Sequence, residues 1–200
     1  MSEILVDTIK TSGGSGGLSV PSTAGTLVTS SNISSFTSSG SVKQIKFTQF
    51  TGTSTKGFSA ETGGTISELA VSITPTSSSS IIRIDAMVCG EHGVSSNNFN
   101  GVWYFDRNGT KLSAPAAGNR QVGIAIATNL SYEATNAHST AEMVNYAYFD
   151  TPNTTSQITY TVAFQPRLAE TWYLNRNVSN TDTSSYERGT SYICAMEFEA

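Results

Sequence analysis

Charged residues are scarce in this sequence. Only 13% of its 200 residues are Asp, Glu, Lys or Arg, whereas globular proteins average about 25%. The 11 basic residues are scattered along the chain, and the formal net charge is −4. Recognition of a phosphate backbone needs clustered Lys and Arg side chains. The sequence therefore predicts no nucleic-acid partner.

Long apolar runs are missing as well. No apolar stretch approaches the roughly 20 residues that a bilayer-spanning helix needs. Polar residues interrupt every early apolar stretch after Met1, so the apolar region of a secretory signal is not found. We therefore predict no membrane insertion and no signal peptide. A protein of this kind is made in a cytoplasm and would reach the outside by assembly and lysis.

Residues that carry chemistry are few. Cys89 and Cys194 are too far apart for a disulfide framework or a zinc site, and we predict buried free thiols. His92 and His138 are the only histidines, and no Gly-x-Ser-x-Gly elbow occurs. Glu91 beside His92 lacks a second ligand pair for a metal. The sequence predicts neither an enzyme nor a bound cofactor or metal.

Residues 1–42 differ from the rest, because they contain no Trp or Tyr and a single Phe. Their few apolar groups cannot offset an ordering entropy of about 1–2 kcal/mol per residue. We predict an extended N-terminal anchor and linker whose apolar groups share a core with other chains, as in a homotrimer; a disordered tail is the alternative. The predicted anchor and trimer contacts are Ile4, Leu5, Val6, Ile9, Leu18, Val20, Leu27 and Val28.

Residues 43–200 show apolar and polar residues in alternation, as in Ile158–Phe164, separated by turn signals. The Asn-Gly pair at Asn108 and Gly109 predicts a hairpin turn. No segment shows a convincing period of 3.6 residues, and many short strands are typical of a sandwich or barrel. The sequence predicts an all-β fold of eight or nine strands, an antiparallel jelly-roll β-sandwich.

Two aromatic pairs, Trp103-Tyr104 and Trp172-Tyr173, are the remaining candidates for binding. Neighbouring residues of a strand point to opposite faces, so one ring of each pair should face the core and the other should face out. Exposed rings could stack on sugars, and packing in the core or at a subunit interface is the alternative. Trp172, Tyr173 and Asn175 are the predicted glycan contacts, if they lie at an exposed tip.

The opening SEILVDTIKTSGG at residues 2–14 and LSVPSTAGTLV at residues 18–28 resemble the N-termini of structural proteins from tailed phages, especially marine phages and cyanophages. ISELAVSITP at 66–75, IIRI at 81–84 and the closing AMEFE at 195–199 resemble the β-rich C-terminal domain of the same proteins. The resemblance covers most of the chain.

This resemblance implies a structural subunit of a phage particle: a tail fibre, head fibre or decoration-type appendage. Such subunits are usually trimers, made in the host cytoplasm and incorporated into the virion. Residues 1–42 would dock on other virion structural proteins, and the β-rich head would project outward. The alternative is a receptor-binding adhesin whose loops grip a glycan of the host surface.

Overall fold

The computed structural model describes residues 39–93, 100–127 and 139–200. Within these ranges the chain is all-β, and no helix is long and apolar enough to cross a membrane. The strands are β1 (Val42–Phe50), β2 (Ser54–Phe58), β3 (Gly64–Ile73), β4 (Ile81–His92), β5 (Gly101–Arg107), β6 (Thr110–Leu112), β7 (Ala125–Ile126), β8 (Glu142–Asp150), β9 (Ile158–Pro166), β10 (Glu170–Leu174) and β11 (Ser191–Phe198).

The first sheet is built around β4. One edge of β4 pairs with β8, and its other edge pairs with β11 and then, near His92, with β10. Beyond these strands, β1 pairs with β11 and β2 pairs with β10. All of these pairs are antiparallel, and β10 and β11 follow one another along one edge of β4. The sheet is therefore four strands wide.

The second sheet has the order β3, β9, β5, with β6 and β7 both pairing with β5. Again every pair is antiparallel. β6 pairs with the end of β5 near Arg107 and β7 with its start near Val102. This sheet is also four strands wide, and the described chain is a β-sandwich.

The core lies between the inner faces of the two sheets. In β9, Ile158, Tyr160, Val162 and Phe164 are buried at every second position, as the alternation in the sequence predicts. At the centre of the core, the Trp103 ring of β5 packs against the edge of the Trp172 ring of β10, with the ring centroids 5.2 Å apart. Burial of each such side chain stabilises the fold by about 1.5–3 kcal/mol.

The predicted hairpin turn is confirmed. Asn108 and Gly109 both have positive φ, at 49° and 86°. The backbone N–H of Gly109 donates to Asp106 Oδ1 at 2.8 Å, and Arg107 pairs with Thr110 across the turn. Asn and Gly accept this left-handed backbone with little strain, so these two residues fix the register of β5 and β6.

Three expectations need correction. The described residues contain eleven strands, more than predicted, because several positions of the two sheets are shared by two short strands. Tyr104 is buried as well as Trp103, and the Lys111 ammonium lies over its ring at 4.5 Å from the centroid. Cys89 is a buried free thiol as predicted, whereas Cys194 is only partly buried.

Candidate functional site

The outer face of the first sheet exposes several large apolar side chains. On β1, Ile45 and Phe47 are 53% and 71% exposed, and on β8 Phe149 is 63% exposed. Directly opposed residues of paired strands share one face, so the strand registers define the members of this surface. We call it the apolar face; it comprises Val42, Ile45, Phe47, Gln49, Ile81, Arg83, Asp85, Met87, Met143, Asn145, Ala147, Phe149, Tyr192, Cys194, Met196 and Phe198.

The charges on the apolar face compensate each other. Arg83 Nη2 lies 2.7 Å from Asp85 Oδ1, and its guanidinium lies over the Phe149 ring at 5.9 Å from the centroid. Arg83 Nε and Asp85 Oδ2 make no hydrogen bond within the described residues. The face thus combines apolar surface with a pair that has spare hydrogen-bonding capacity for another molecule.

A depression of about 230 Å³ lies on the same face. Asp85, Asn145, Ala147 and Tyr192 are among its lining residues. It forms because Ala147 is small, whereas Phe149, two residues further along β8, is a large exposed ring. The depression has room for one large side chain of a neighbouring molecule.

Cys194 sits within the apolar face, opposite Phe47. Partial burial raises the pKa of its thiol, the Asp85 carboxylate raises it further, and Arg83 opposes these effects in part. The thiolate is the nucleophilic form of cysteine, so a raised pKa keeps Cys194 protonated and unreactive at neutral pH. Its role here is that of a small apolar contact group.

Trp172, predicted to contact a glycan, is instead a core residue. It is fully buried, and its ring lies 5.2 Å from Trp103 and 4.6 Å from His92. Trp172 is directly opposite His92 in the pairing of β10 with β4, so both side chains lie on the core side of the first sheet. The prediction for Trp172 is wrong, because a ring without accessible surface cannot stack on a sugar.

The prediction that Asn175 contacts a glycan is also wrong, because its side chain is buried. Its side-chain N–H groups donate to the carbonyl oxygens of Phe50 and Gly52, both at 2.8 Å, and its Oδ1 accepts from Ser191 Oγ at 2.6 Å. Three bonds hold the buried amide in the left-handed backbone conformation at φ 59°. Asn175 therefore ties the segment after β1 to the start of β11.

Tyr173 is the one predicted glycan contact that keeps accessible surface. It is partly buried, and the Arg176 guanidinium lies 4.5 Å from its ring centroid. Since Trp172 and Asn175 turn inward on either side of it, the three residues do not form one binding surface. The predicted anchor contacts Ile4, Leu5, Val6, Ile9, Leu18, Val20, Leu27 and Val28 lie outside the described residues.

His92 and two buried acidic side chains make contacts within the fold. His92 Nδ1 lies 2.9 Å from Glu170 Oε1, and both side chains are buried. Glu91 accepts from the backbone N–H groups of Thr140 and Val178, at 3.0 and 2.7 Å, and so holds two connections in place. Among the described residues no three His, Cys, Asp or Glu side chains are grouped as a metal would require.

The apolar face was not predicted from the sequence, although the pattern of β11 indicates it. Ile193 and Ala195 of that strand face the core, while Cys194 and Met196 at the alternate positions face out. A strand whose odd and even positions are both apolar is typical of a sheet that is covered on both faces. The pattern therefore indicates a second apolar contact in addition to the core.

Comparison with models of known protein families gives no match, and comparison with curated proteins gives none either. We therefore infer the function from the apolar face and from the chemistry of the exposed residues. Both are properties of the described part of the chain.

Proposed function

We propose that this chain is a structural subunit of a phage particle, a fibre or decoration-type appendage, and that it assembles as a homotrimer through the apolar face. The apolar face is the observation that carries the proposal. Soluble monomers rarely expose contiguous apolar patches larger than a few hundred Å². Ile45, Phe47, Met143 and Phe149 are each more than half exposed on one sheet face.

The size of the face is sufficient for an interface. Strands lie about 4.8 Å apart and rise about 3.4 Å per residue, so four strands of about eight residues cover roughly 500 Å². In a trimer each copy would bury this face against its two neighbours, so about 500 Å² per copy and about 1,500 Å² in the whole trimer would be removed from water. The mutually compensated Arg83 and Asp85 allow a second copy to pack there without an unpaired charge.

The strand order supports the finer assignment of the sandwich as a jelly roll. The sheet positions β1, β11, β4, β8 oppose β3, β9, β5, β6, and the chain passes repeatedly from one sheet to the other. Two four-stranded antiparallel sheets connected in this way are typical of the eight-stranded jelly roll. β2, β7 and β10 are short additions at the ends of these positions.

Assignment to the virion rests on the resemblance of residues 2–14 and 18–28 to phage structural proteins. In the proposed arrangement these residues dock on other virion proteins, and the trimeric head projects outward. Host attachment through a surface glycan is the second candidate function. A glycan would have to bind at a surface that does not include Trp172 or Asn175, since these two side chains are buried.

Placing a carboxylate on the apolar face is expected to dissociate the trimer. Phe47→Asp and Phe149→Asp each put a charge where a second copy would bury it, and a buried unpaired charge costs several kcal/mol. Light scattering of the full chain at micromolar concentration should give a trimer mass for the unmodified protein and a monomer mass for each variant. Circular dichroism should remain unchanged, because both rings are largely exposed.

Leu168→Asp is the matched control, since Leu168 is 50% exposed but lies between β9 and β10, away from the apolar face. It should leave the trimer intact. A monomeric unmodified protein would contradict the assembly, and a dimer would assign the face to a two-fold contact instead. If both Asp variants remain trimers, the interface lies on a surface other than the apolar face.

Removal of residues 1–38 is expected to prevent incorporation into particles and to leave the head folded. The core between the two sheets is formed within the described residues, and the backbone of Gly40 and Ser41 still pairs with Glu199 near β11. Thermal unfolding and a particle-binding assay of the shortened chain test the two parts separately. Truncated protein that still joins particles would place the docking surface on the sandwich.

A further inference from the structure

The outer face of the second sheet carries a polar groove of about 900 Å³. Its floor includes Val102 of β5, Gln165 of β9 and Lys111 of β6, and Val102 is paired with Gln165 across the sheet. The groove therefore lies on the opposite side of the sandwich from the apolar face. A volume of this size is in the range of ordinary ligand sites, about 300–1,000 Å³.

One wall of the groove is the connection between β6 and β7, which includes residues 118–122. This connection is fastened to β5, because the N–H of Ile124 donates to the carbonyl of Trp103 at 2.8 Å. Gly123 lies so close to the sheet that a Cβ there would come within 2.5 Å of the Val102 side chain. The wall is thus anchored to the sheet at its C-terminal end, next to Val102 and Trp103.

The opposite wall contains Arg167 and Glu61. Arg167 Nη1 lies 2.6 Å from Glu61 Oε1, so these two charges compensate each other. Lys111 and Arg120 are the remaining charged side chains of the lining, and both are cationic. The groove is therefore positive in a chain whose net charge is −4. An anionic ligand is the partner that such a local reversal of charge favours.

Lys111 is held in a defined position at the floor. Its Nζ lies 4.5 Å from the Tyr104 ring centroid and donates to Gln165 Oε1. Contact with a ring face and an amide oxygen restricts a side chain that is otherwise flexible. The exposed Arg120 guanidinium donates to the carbonyl of Ala117 at 3.4 Å, and within the described residues its other N–H groups remain for a ligand.

Neutral donors and acceptors surround these cations. Asn100, Asn119, Gln121 and Gln165 all line the groove. Gln121 Nε2 is buried and makes no hydrogen bond within the described residues. Because this atom has almost no accessible surface, it is not itself a contact for a ligand. The side chain of Ile126, 74% exposed, adds an apolar contact at the same site.

We propose that this groove binds an acidic saccharide, a short sugar chain carrying carboxylate or sulfate groups. Arg120 would bind the anionic group through two N–H donors, and Lys111 would add a second positive charge. The exposed Asn119 would exchange hydrogen bonds with ring hydroxyls, and Ile126 would contact the C–H face of the ring. Because the groove and the apolar face lie on opposite sheets, a trimer would present three grooves and bind a polymer with avidity.

Isothermal titration of the full chain with three probes tests this proposal. We expect binding of trigalacturonate or of a sulfated trisaccharide, and no binding of maltotriose, which is neutral. Higher salt should weaken the binding, because exposed charge contacts are screened. Binding of trigalacturonate alone would identify a carboxylate site, and equal binding of both anionic sugars would identify a general anionic site. Failure of both anionic probes would overturn the proposal.

Substitutions test whether saccharide binding depends on the side chains of the groove. Arg120→Ala should reduce the affinity at least tenfold, and Arg120→Lys by less, because lysine keeps the charge but not the bidentate geometry. Lys46→Ala is the matched control, since Lys46 is an exposed cation on β1 and should leave the affinity unchanged. Binding that is insensitive to Arg120→Ala would contradict the site. Light scattering of the same variants reports assembly separately, so a failed groove and a failed trimer are distinguishable.

Discussion

Replacement of Trp172 by alanine is expected to destabilise the fold by about 3–5 kcal/mol, as is typical of large-to-small changes in a core. The side chain is fully buried, and it contacts Trp103 and His92 from two other strands. Removal of the indole leaves a cavity that those rings cannot fill without moving. Since domains of this size have a total stability of about 5–15 kcal/mol, the loss is a large share of it.

Urea denaturation followed by circular dichroism measures this effect. Tyr173→Ala is the matched control from the same strand: the ring is partly exposed, and its contact with Arg176 contributes about 0.5–1 kcal/mol. Binding of an acidic saccharide should survive Tyr173→Ala, because this ring is not part of the groove. A Trp172→Ala protein with an unchanged urea midpoint would show that the indole does not belong to the core.

The strands could be predicted from the sequence because alternation is a local property. Ile158, Tyr160, Val162 and Phe164 occupy every second position of β9, and each faces the core. The turn at Asn108 was predictable for the same reason, since the residue types that accept positive φ lie next to each other in the chain. Both features depend on contacts a few residues apart.

The direction of an individual side chain could not be predicted in this way. Asn175 binds the carbonyls of Phe50 and Gly52, which are more than 120 residues earlier in the chain. Nothing in the neighbourhood of Asn175 in the sequence indicates those acceptors. The indole of Trp172 is likewise buried by partners from β4 and β5. Aromatic and amide residues suit both a core and a binding site, so only the three-dimensional contacts separate the two roles.

The groove was missed because its residues come from separate segments of the chain. Glu61 precedes β3, Asn100 precedes β5, Arg120 belongs to the connection between β6 and β7, and Arg167 follows β9. These segments meet because β5 lies between β9 and the pair β6 and β7 in the second sheet. Sheet order of this kind is set by long-range pairing, which no local motif encodes.

Glu197 is a second residue whose replacement should have a large effect. It is fully buried and accepts hydrogen bonds of 2.6 Å from Gln44 Nε2, Thr76 N, Thr76 Oγ1 and Ser80 Oγ. One carboxylate thereby joins β11 to β1 and to the turn between β3 and β4. Burial by itself raises the pKa of Glu197, but the hydrogen bonds from Ser80, Thr76 and Gln44 together outweigh it, so its pKa lies below the ordinary value.

The lowered pKa of Glu197 gives the stability a defined pH dependence. A glutamate in the unfolded chain has a pKa of about 4.3. Because the folded value is lower, the contribution of Glu197 is fully present above the unfolded pKa and is lost as pH falls through the folded pKa. The free energy of unfolding should therefore decrease between about pH 5 and the lower, folded pKa, as linkage requires.

Glu197→Gln is expected to lower the stability at pH 7 by about 1–3 kcal/mol. An amide keeps one acceptor oxygen, so its NH₂ group would face either the Thr76 and Ser80 donors or the Gln44 Nε2 donor. The loss should shrink as pH falls towards 3, because the unmodified carboxyl then becomes protonated and loses its advantage. Urea denaturation at a series of pH values measures both quantities. Glu187→Gln, an exposed residue, is the matched control and should change the stability by less than about 0.5 kcal/mol.

Glu197→Gln should affect both the stability of the core and assembly through the apolar face. Residues of β11 alternate between the two, so that Glu197 and Ala195 face inward while Met196 and Cys194 face the neighbouring copy in the proposed trimer. If the carboxylate holds β11 in place, Glu197→Gln should also weaken assembly, and light scattering should show dissociation at a lower temperature than for Glu187→Gln. A Glu197→Gln protein that keeps the pH dependence of the unmodified chain would assign that dependence to other acidic groups, such as Glu68, whose pKa is also lowered.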